Sequence, residues 1–211
     1  MILNLIFPPK CPFCRKILNY PGICASCENS LPWLDESKRR IVENNFLCVG
    51  ALRYQDAVRY ALLRLKFEGA IDIAEPLGMI LAQCAAECLS GEFDCVTWTP
   101  VSAERESKRG YDQAKLLAES ACRVWDIKPE RLLKKVKDNP AQSILPGEKP
   151  ELRELNVRGV YAPTENAKIA RRRILLIDDI HTTGATLREA RRVLLENGAQ
   201  SICAAVIAFA G

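Results

Sequence analysis

The stretch Ile174-Leu175-Leu176-Ile177-Asp178-Asp179-Ile180-His181-Thr182-Thr183-Gly184-Ala185-Thr186 decides how this chain folds. Its first four residues are a short apolar run without alternation, the pattern of a parallel strand covered on both faces, and the run stops abruptly in charge. A helix is expected at once. Thr186 can cap it, and Leu187, Ala190, Val193 and Leu194 recur at the spacing of a buried stripe while arginines fill the gaps. Strand, turn and helix in that order make a phosphate cradle, because ligands of open α/β sheets settle at the carboxyl ends of strands, where a helix N-terminus offers unpaired N–H groups. Gly184 permits positive φ, and Thr182, Thr183 and Thr186 add hydroxyl donors.

Asp178 and Asp179 make the cradle more particular. They would repel a phosphate pressed against them, so they match hydroxyls instead. A ribose 2′,3′-diol donates two hydrogen bonds to ionised carboxylates, and such charge-assisted bonds are roughly twice as strong as neutral ones. The inferred ligand is a ribose 5-phosphate. An acid at a strand end or a Thr-Gly turn before a helix is common by itself; the whole string carries the reading.

Outward from this string, the chain alternates. Strands are expected near Leu47 to Leu52 and Cys95 to Thr99, with helices near Ala57 to Leu65, Ile73 to Leu89 and Gln113 to Trp125. That order gives an α/β fold with a parallel sheet covered on both faces. The turn after Thr99-Pro100 ends a second strand and should face the same rim. Lys134 to Arg158 carries Pro140, Pro146, Gly147 and Pro150 and little periodicity, which reads as a lid or a disordered segment.

The chain has 211 residues, 48% of them hydrophobic, enough for one α/β core plus a small appendage. A net charge of +4 suits a protein that handles polyanionic small molecules and falls short of a dedicated nucleic-acid binder. No segment is long enough to span a membrane, and Met1 to Phe7 reads as a short packed element rather than an export signal. A cytoplasmic location follows as an expectation. Trp33, Trp98 and Trp125 are spread without interleaved basic residues, so they read as core rather than as a stacking groove.

Ten cysteines in such a chain point to metal or burial rather than disulfides. Cys11 and Cys14, then Cys24 and Cys27, form two C-x-x-C knuckles able to hold one tetrahedral zinc ion, a closed structural site for a segment too small to fold on its own core. A redox dithiol or a pair of disulfides is the competing reading. The other six cysteines read as packed thiols. The expected division is a zinc module over residues 1–35, a charged linker over 36–45 and an α/β domain over 46–211.

The string from Ile174 to Thr186 resembles the phosphoribosyl-pyrophosphate (PRPP) signature of type I phosphoribosyltransferases. Further segments are similar to the ComF family of competence-associated proteins: Leu65-Lys66-Phe67-Glu68-Gly69, Pro100-Val101 followed by Arg105, Arg109-Gly110-Tyr111-Asp112-Gln113-Ala114, and Gln142 through Leu145 to Arg153 and Asn156. The resemblance covers almost the whole chain. It implies the type I phosphoribosyltransferase fold, with ribose and 5-phosphate held by Asp178, Asp179, Ile180, His181, Thr182, Thr183, Gly184, Ala185 and Thr186. Asp178 and Asp179 would be the catalytic pair.

The resemblance further implies pyrophosphate recognition by backbone N–H groups of Val101 and Ser102 and by Arg105, Arg109 and Lys66. Mg²⁺ would accompany PRPP, and displacement would occur at ribose C1′ with pyrophosphate leaving. Lys134, Lys135, Lys137, Gln142 and Arg153 are lid candidates. His181, the sole histidine, matches no family role and is expected to point out of the loop. Two functions stay open: transfer to an unknown acceptor in nucleoside metabolism, or PRPP binding without turnover in DNA uptake, with single-stranded DNA or a competence helicase as partner.

Overall fold

The computed structural model describes residues 8–137 and 158–210. Strand β1 (Arg40–Glu43) turns back into β2 (Phe46–Arg53), and two helices follow, α2 (Asp56–Phe67) and α3 (Ala74–Cys88), the short helix α1 (Ala25–Ser30) having come earlier. Next come β3 (Cys95–Trp98), α4 (Ala103–Arg109), α5 (Gln113–Val124), β4 (Leu133–Lys135), β5 (Tyr161–Pro163), β6 (Arg173–His181), α6 (Ala185–Glu196) and β7 (Ser201–Phe209). Five strands form one sheet in the order β1-β2-β7-β6-β3. β2, β7, β6 and β3 run parallel, and β1 is an antiparallel edge.

The apolar run Ile174–Ile177 is continuous because both faces of β6 are covered. Leu175 and Ile177 enter a core built with α2, α3 and α5, whereas Ile174 and Leu176 enter a second core with α6 and the β4–β5 ribbon. On the first face α3 and α5 lie backbone to backbone: a Cβ built on Gly78 would stand 2.3 Å from Ser120 Cβ.

Four local expectations change. β6 does not stop at the first charge; it runs on through His181, because β7 continues beside it, pairing Asp178 with Val206, Ile180 with Ala208 and His181 with Phe209. Thr186 does not cap the helix. The N-cap is Gly184 with φ 72°, and Thr186 already lies inside the first turn. Residues 36–45, expected as a linker, contain a 3-10 turn (Glu36–Lys38) and β1, which is hydrogen-bonded to β2. An edge strand buries little, here chiefly part of Ile41, so its composition resembles that of a loop.

Lys134 and Lys135 lie in β4, paired with β5 through Lys134 opposite Ala162 and Lys135 opposite Tyr161, rather than in an open lid. Gln142, Arg153 and the segment Met1 to Phe7 fall outside the described residues. Among those described, no helix is long and apolar enough to cross a membrane.

Candidate functional site

β6 carries its two acids to the carboxyl edge of the sheet, next to the end of β3, where the Thr99 N–H donates to Ile177 O at 3.0 Å before the two chains part. Beyond His181 the chain turns through Thr182, Thr183 and Gly184 into α6. Among the described residues, the amides of Thr182, Thr183 and Gly184 make no backbone hydrogen bond, and Thr183 Oγ1 accepts the Ala185 N–H at 3.4 Å. A twelve-residue helix thus begins at a bend whose N–H groups are not spent on the chain itself.

His181 does not point out of the loop. It is buried, edge-on to Phe209 with ring centroids 5.6 Å apart, and a Cβ on Gly184 would stand 2.6 Å from its Nε2. Burial lowers its pKa, which keeps the imidazole neutral. Pairing with Phe209 of β7 extended the strand and drew the ring inside.

Adjacent residues of a strand face opposite sides, so the acids diverge. Asp179 is on the α2 side, where the Lys66 ammonium lies 3.5 Å from Oδ2. That oxygen is buried and, among the described residues, accepts no hydrogen bond. Asp179 in turn is the main reason the Lys66 pKa is raised. Asp178 is on the other side with the Thr99 hydroxyl, and the Asp179 N–H donates to its Oδ1 at 2.8 Å. Burial first, and the neighbouring Asp179 charge second, push its carboxyl up to about 8. The two acids thus face opposite sides of β6 rather than closing together on one diol, and burial favours the protonated form of Asp178.

A stability signature follows from that proton. Unfolding returns Asp178 to an ordinary acidity, so between its unfolded value of about 3.9 and the folded value of about 8 the native state binds the extra proton, and stability falls as pH rises through this window. Asp178→Asn should melt like the parent near pH 4 and at progressively higher temperature than the parent toward pH 8, as read by thermal unfolding at stepped pH. Equal melting curves across the range would place the proton elsewhere.

The loop after β3 approaches the same rim. Ser102 caps α4 by accepting the Arg105 N–H on Oγ at 3.3 Å. The Val101 N–H is already bonded to Asp112 Oδ2 at 3.1 Å, so it does not present itself to a ligand as expected. Arg109, at the end of α4, lies over the Phe67 ring at 5.0 Å and donates to Gln113 Oε1 at 3.1 Å. Burial, with Arg105 nearby, lowers its pKa, and it feels the Asp179 charge. The Tyr111 hydroxyl donates to Leu65 O at 2.5 Å, tying this turn to the end of α2 beside Lys66. Lys66, Arg105, Arg109 and Asp179 therefore converge. Asp112 and Tyr111 hold the arrangement; both lie in a motif quoted above, but no periodicity marked their structural role.

The second cluster is at the N-terminus. Cys11, Cys14, Cys24 and Cys27 offer sulfur atoms that all lie within 4.8 Å of one another. A regular tetrahedron of Zn–S bonds of about 2.3 Å has S···S edges of about 3.8 Å, so the four thiols fit zinc. A tight turn makes this possible: the Cys11 N–H donates to Lys16 O, the Arg15 N–H to Cys11 O, and Lys10 bridges Ile17. Cys24 then opens α1, whose first turn delivers Cys27. Cys11, Phe13, Cys24, Cys27 and Leu31 join the core that holds α2, and the buried Arg64 guanidinium donates to Pro12 O at 3.3 Å.

Residues 2–39 match the double zinc ribbon domain family and residues 123–211 the phosphoribosyl transferase domain family. The fold and its two clusters thus define a mixed α/β phosphoribosyltransferase-type protein with an N-terminal four-cysteine zinc-binding module. Competence protein ComFC of Bacillus subtilis strain 168 is 30% identical over 188 residues, which is 89% of this chain and 72% of that protein. Competence protein F of Haemophilus influenzae is 24% identical over 203 residues, 91% of this chain and 86% of its own length. The chain belongs to the ComF family of competence proteins. A solved structure of the allosteric regulatory enzyme of purine biosynthesis overlaps with a TM-score of 0.38 and 22% identity, covering 64% of this chain and 26% of that one.

Proposed function

We propose that this protein binds PRPP at the carboxyl edge of β6, with the 5-phosphate on the Thr182–Thr186 bend, the ribose against Asp179 and the pyrophosphate toward Lys66, Arg105 and Arg109. One observation carries the reading: bend amides without backbone partners stand one turn from Asp179, whose buried Oδ2 accepts no hydrogen bond. The Lys66 ammonium faces this oxygen at 3.5 Å as an ion pair without a hydrogen bond, so a lone pair is left for a donor or a hard divalent ion, and a ribose hydroxyl or Mg²⁺ would suit it.

Transfer then means displacement of pyrophosphate at ribose C1′ by an acceptor, with positive charge developing on the sugar. Asp179 would orient the diol, and Lys66 and Arg109 would neutralise the departing pyrophosphate. Asp178, on the opposite face of β6, would not touch the diol; burial favours its protonated form, which would lessen the negative charge next to Asp179. Mg²⁺ fits the Asp179 oxygen as a hard oxygen-seeking ion, and when bound it would supply charge neutralisation on the pyrophosphate. Cytoplasmic residence belongs to the same proposal, as does a division between zinc module and α/β domain that falls ahead of β1. Titrating PRPP with and without Mg²⁺ by calorimetry, then assaying pyrophosphate release with nucleobase and amine acceptors, tests it. Binding without release would make the chain a PRPP-binding protein, and no binding would end the reading.

A second reading rests on the zinc hairpin, along which Lys10, Arg15, Lys16 and Tyr20 are all exposed, Tyr20 to 75%. Exposed cations and an accessible ring on one short segment suit stacking on single-stranded DNA, and relatives bear the names competence protein and DNA utilization protein. A helicase partner in DNA uptake would use the same face. Binding to single strands should weaken steeply with salt, fall on Tyr20→Ala and persist when both acids become alanine. Salt-independent binding, or none, would remove it.

A further inference from the structure

Asp112 is almost fully buried, yet both its oxygens are used twice. Oδ1 accepts the amides of Ala114 at 3.0 Å and Lys115 at 3.2 Å, which caps α5 in the ordinary way. Oδ2 does something nonlocal: it accepts Trp98 Nε1 at 3.1 Å and the Val101 N–H at 3.1 Å, from the last residue of β3 and from the loop that follows it. We propose that Asp112 is the positioning residue of the pyrophosphate loop, fixing the segment from Val101 through Arg109 so that Arg105 and Arg109 face the carboxyl edge of β6.

The geometry gives the reason. Val101 directly precedes Ser102, the cap of α4, so holding the Val101 amide sets where α4 begins and which way its seven residues run. At the far end, Gln113, the residue after Asp112, accepts the Arg109 guanidinium. One carboxylate therefore braces the segment at its start, and its chain neighbour braces it at its end. Only an ionised acceptor suits the place, because four N–H groups face it. An asparagine would turn its NH₂ toward one pair of donors and leave a buried amide hydrogen without a partner.

The inference rests on the PRPP reading, and the experiment separates the two. Pyrophosphate and ribose 5-phosphate are titrated separately, by calorimetry with Mg²⁺, into the parent, Asp112→Asn and Trp98→Phe. The parent should bind both probes. Asp112→Asn should bind pyrophosphate about tenfold or more weakly, the effect of losing hydrogen bonds to a charged group, and bind ribose 5-phosphate within about twofold of the parent. Trp98→Phe removes one donor and leaves the Val101 bond, so it should fold and show a smaller loss, about twofold to threefold, again confined to pyrophosphate. Hydrogen exchange at the Val101 amide should quicken in Asp112→Asn.

Equal weakening of both probes would reduce Asp112 to a structural residue, and unchanged pyrophosphate binding with a quickened Val101 amide would likewise overturn the inference. Should Asp112→Asn fail to fold, Trp98→Phe decides: loss confined to pyrophosphate supports the role, and unaltered or equally weakened binding rejects it. A parent that binds neither probe defeats the PRPP reading itself.

Discussion

Stripping zinc by chelation, or replacing Cys27 with serine, is expected to unfold the N-terminal module outright and to loosen the end of α2. Among the described residues, the module's buried side chains are three of its four ligands, Cys11, Cys24 and Cys27, with Pro12, Phe13, Leu31 and Leu34, so the ion would be a large part of what holds it together. Structural zinc contributes about 10–16 kcal/mol of apparent binding free energy in small zinc-finger peptides, far above what a few apolar side chains supply. The loss would not stay local. Without the knuckle, the Arg64 guanidinium, 6% exposed, loses the Pro12 carbonyl as acceptor, two residues before Lys66 meets Asp179. The measurements are metal content, tryptophan fluorescence and thermal unfolding. Trp33 donates its indole N–H to Glu28 O at 2.7 Å, so its emission should report the collapse of α1. An apo chain that keeps its Trp33 emission and melting temperature would show that the module holds together without metal.

Replacing Gly184 with alanine should be the most damaging single change at the proposed PRPP site. Its φ of 72° costs an L side chain about 1–3 kcal/mol whatever the space. Here there is no space either, since the added Cβ would stand 2.6 Å from His181 Nε2 and 2.9 Å from Arg188 Nη1. Arg188 ends in a long flexible chain and can yield, whereas His181 is wedged against Phe209 and cannot. The bend must shift, and its amides shift with it. We expect a loss of about 2–4 kcal/mol of stability and of about a hundredfold in PRPP affinity. Adding Arg188→Ala should recover little of either. Full recovery in that double variant would mean that the histidine contact and the backbone strain are unimportant.

Much of the fold was written in local pattern. The run Ile174–Ile177, the stripe Leu187, Ala190, Val193 and Leu194, and the paired knuckles of cysteine each follow from a periodicity or spacing that a chain displays before it folds. The strands expected near Leu47, Cys95 and Ile174 and the helices expected near Ala57, Ile73, Gln113 and Leu187 emerged within a few residues of those patterns, whereas β7 and α4 had no such expectation. The errors fall where a neighbouring element decides the outcome. β6 outran its apolar run because β7 continues alongside, and His181 turned inward because Phe209 was there to receive it. β1 buries so little that its residues gave no sign of a strand.

The site divides the same way. The residues of the proposed site are named from the string of acids, threonines and glycine, because that chemistry is local. Their roles are not. Period-two geometry sends Asp178 and Asp179 to opposite faces, and burial then pushes the first toward its protonated form and sets the other against Lys66, more than a hundred residues away in the chain. Asp112 likewise looks like an ordinary helix cap until β3 folds beside it. The amino-acid order alone marked the covered strands, the amphipathic helices and the ionisable side chains of the site, since these depend on near neighbours. The packed structure decided which charges survive burial and which amides are already bonded, since desolvation and hydrogen-bond partners exist only once distant segments meet.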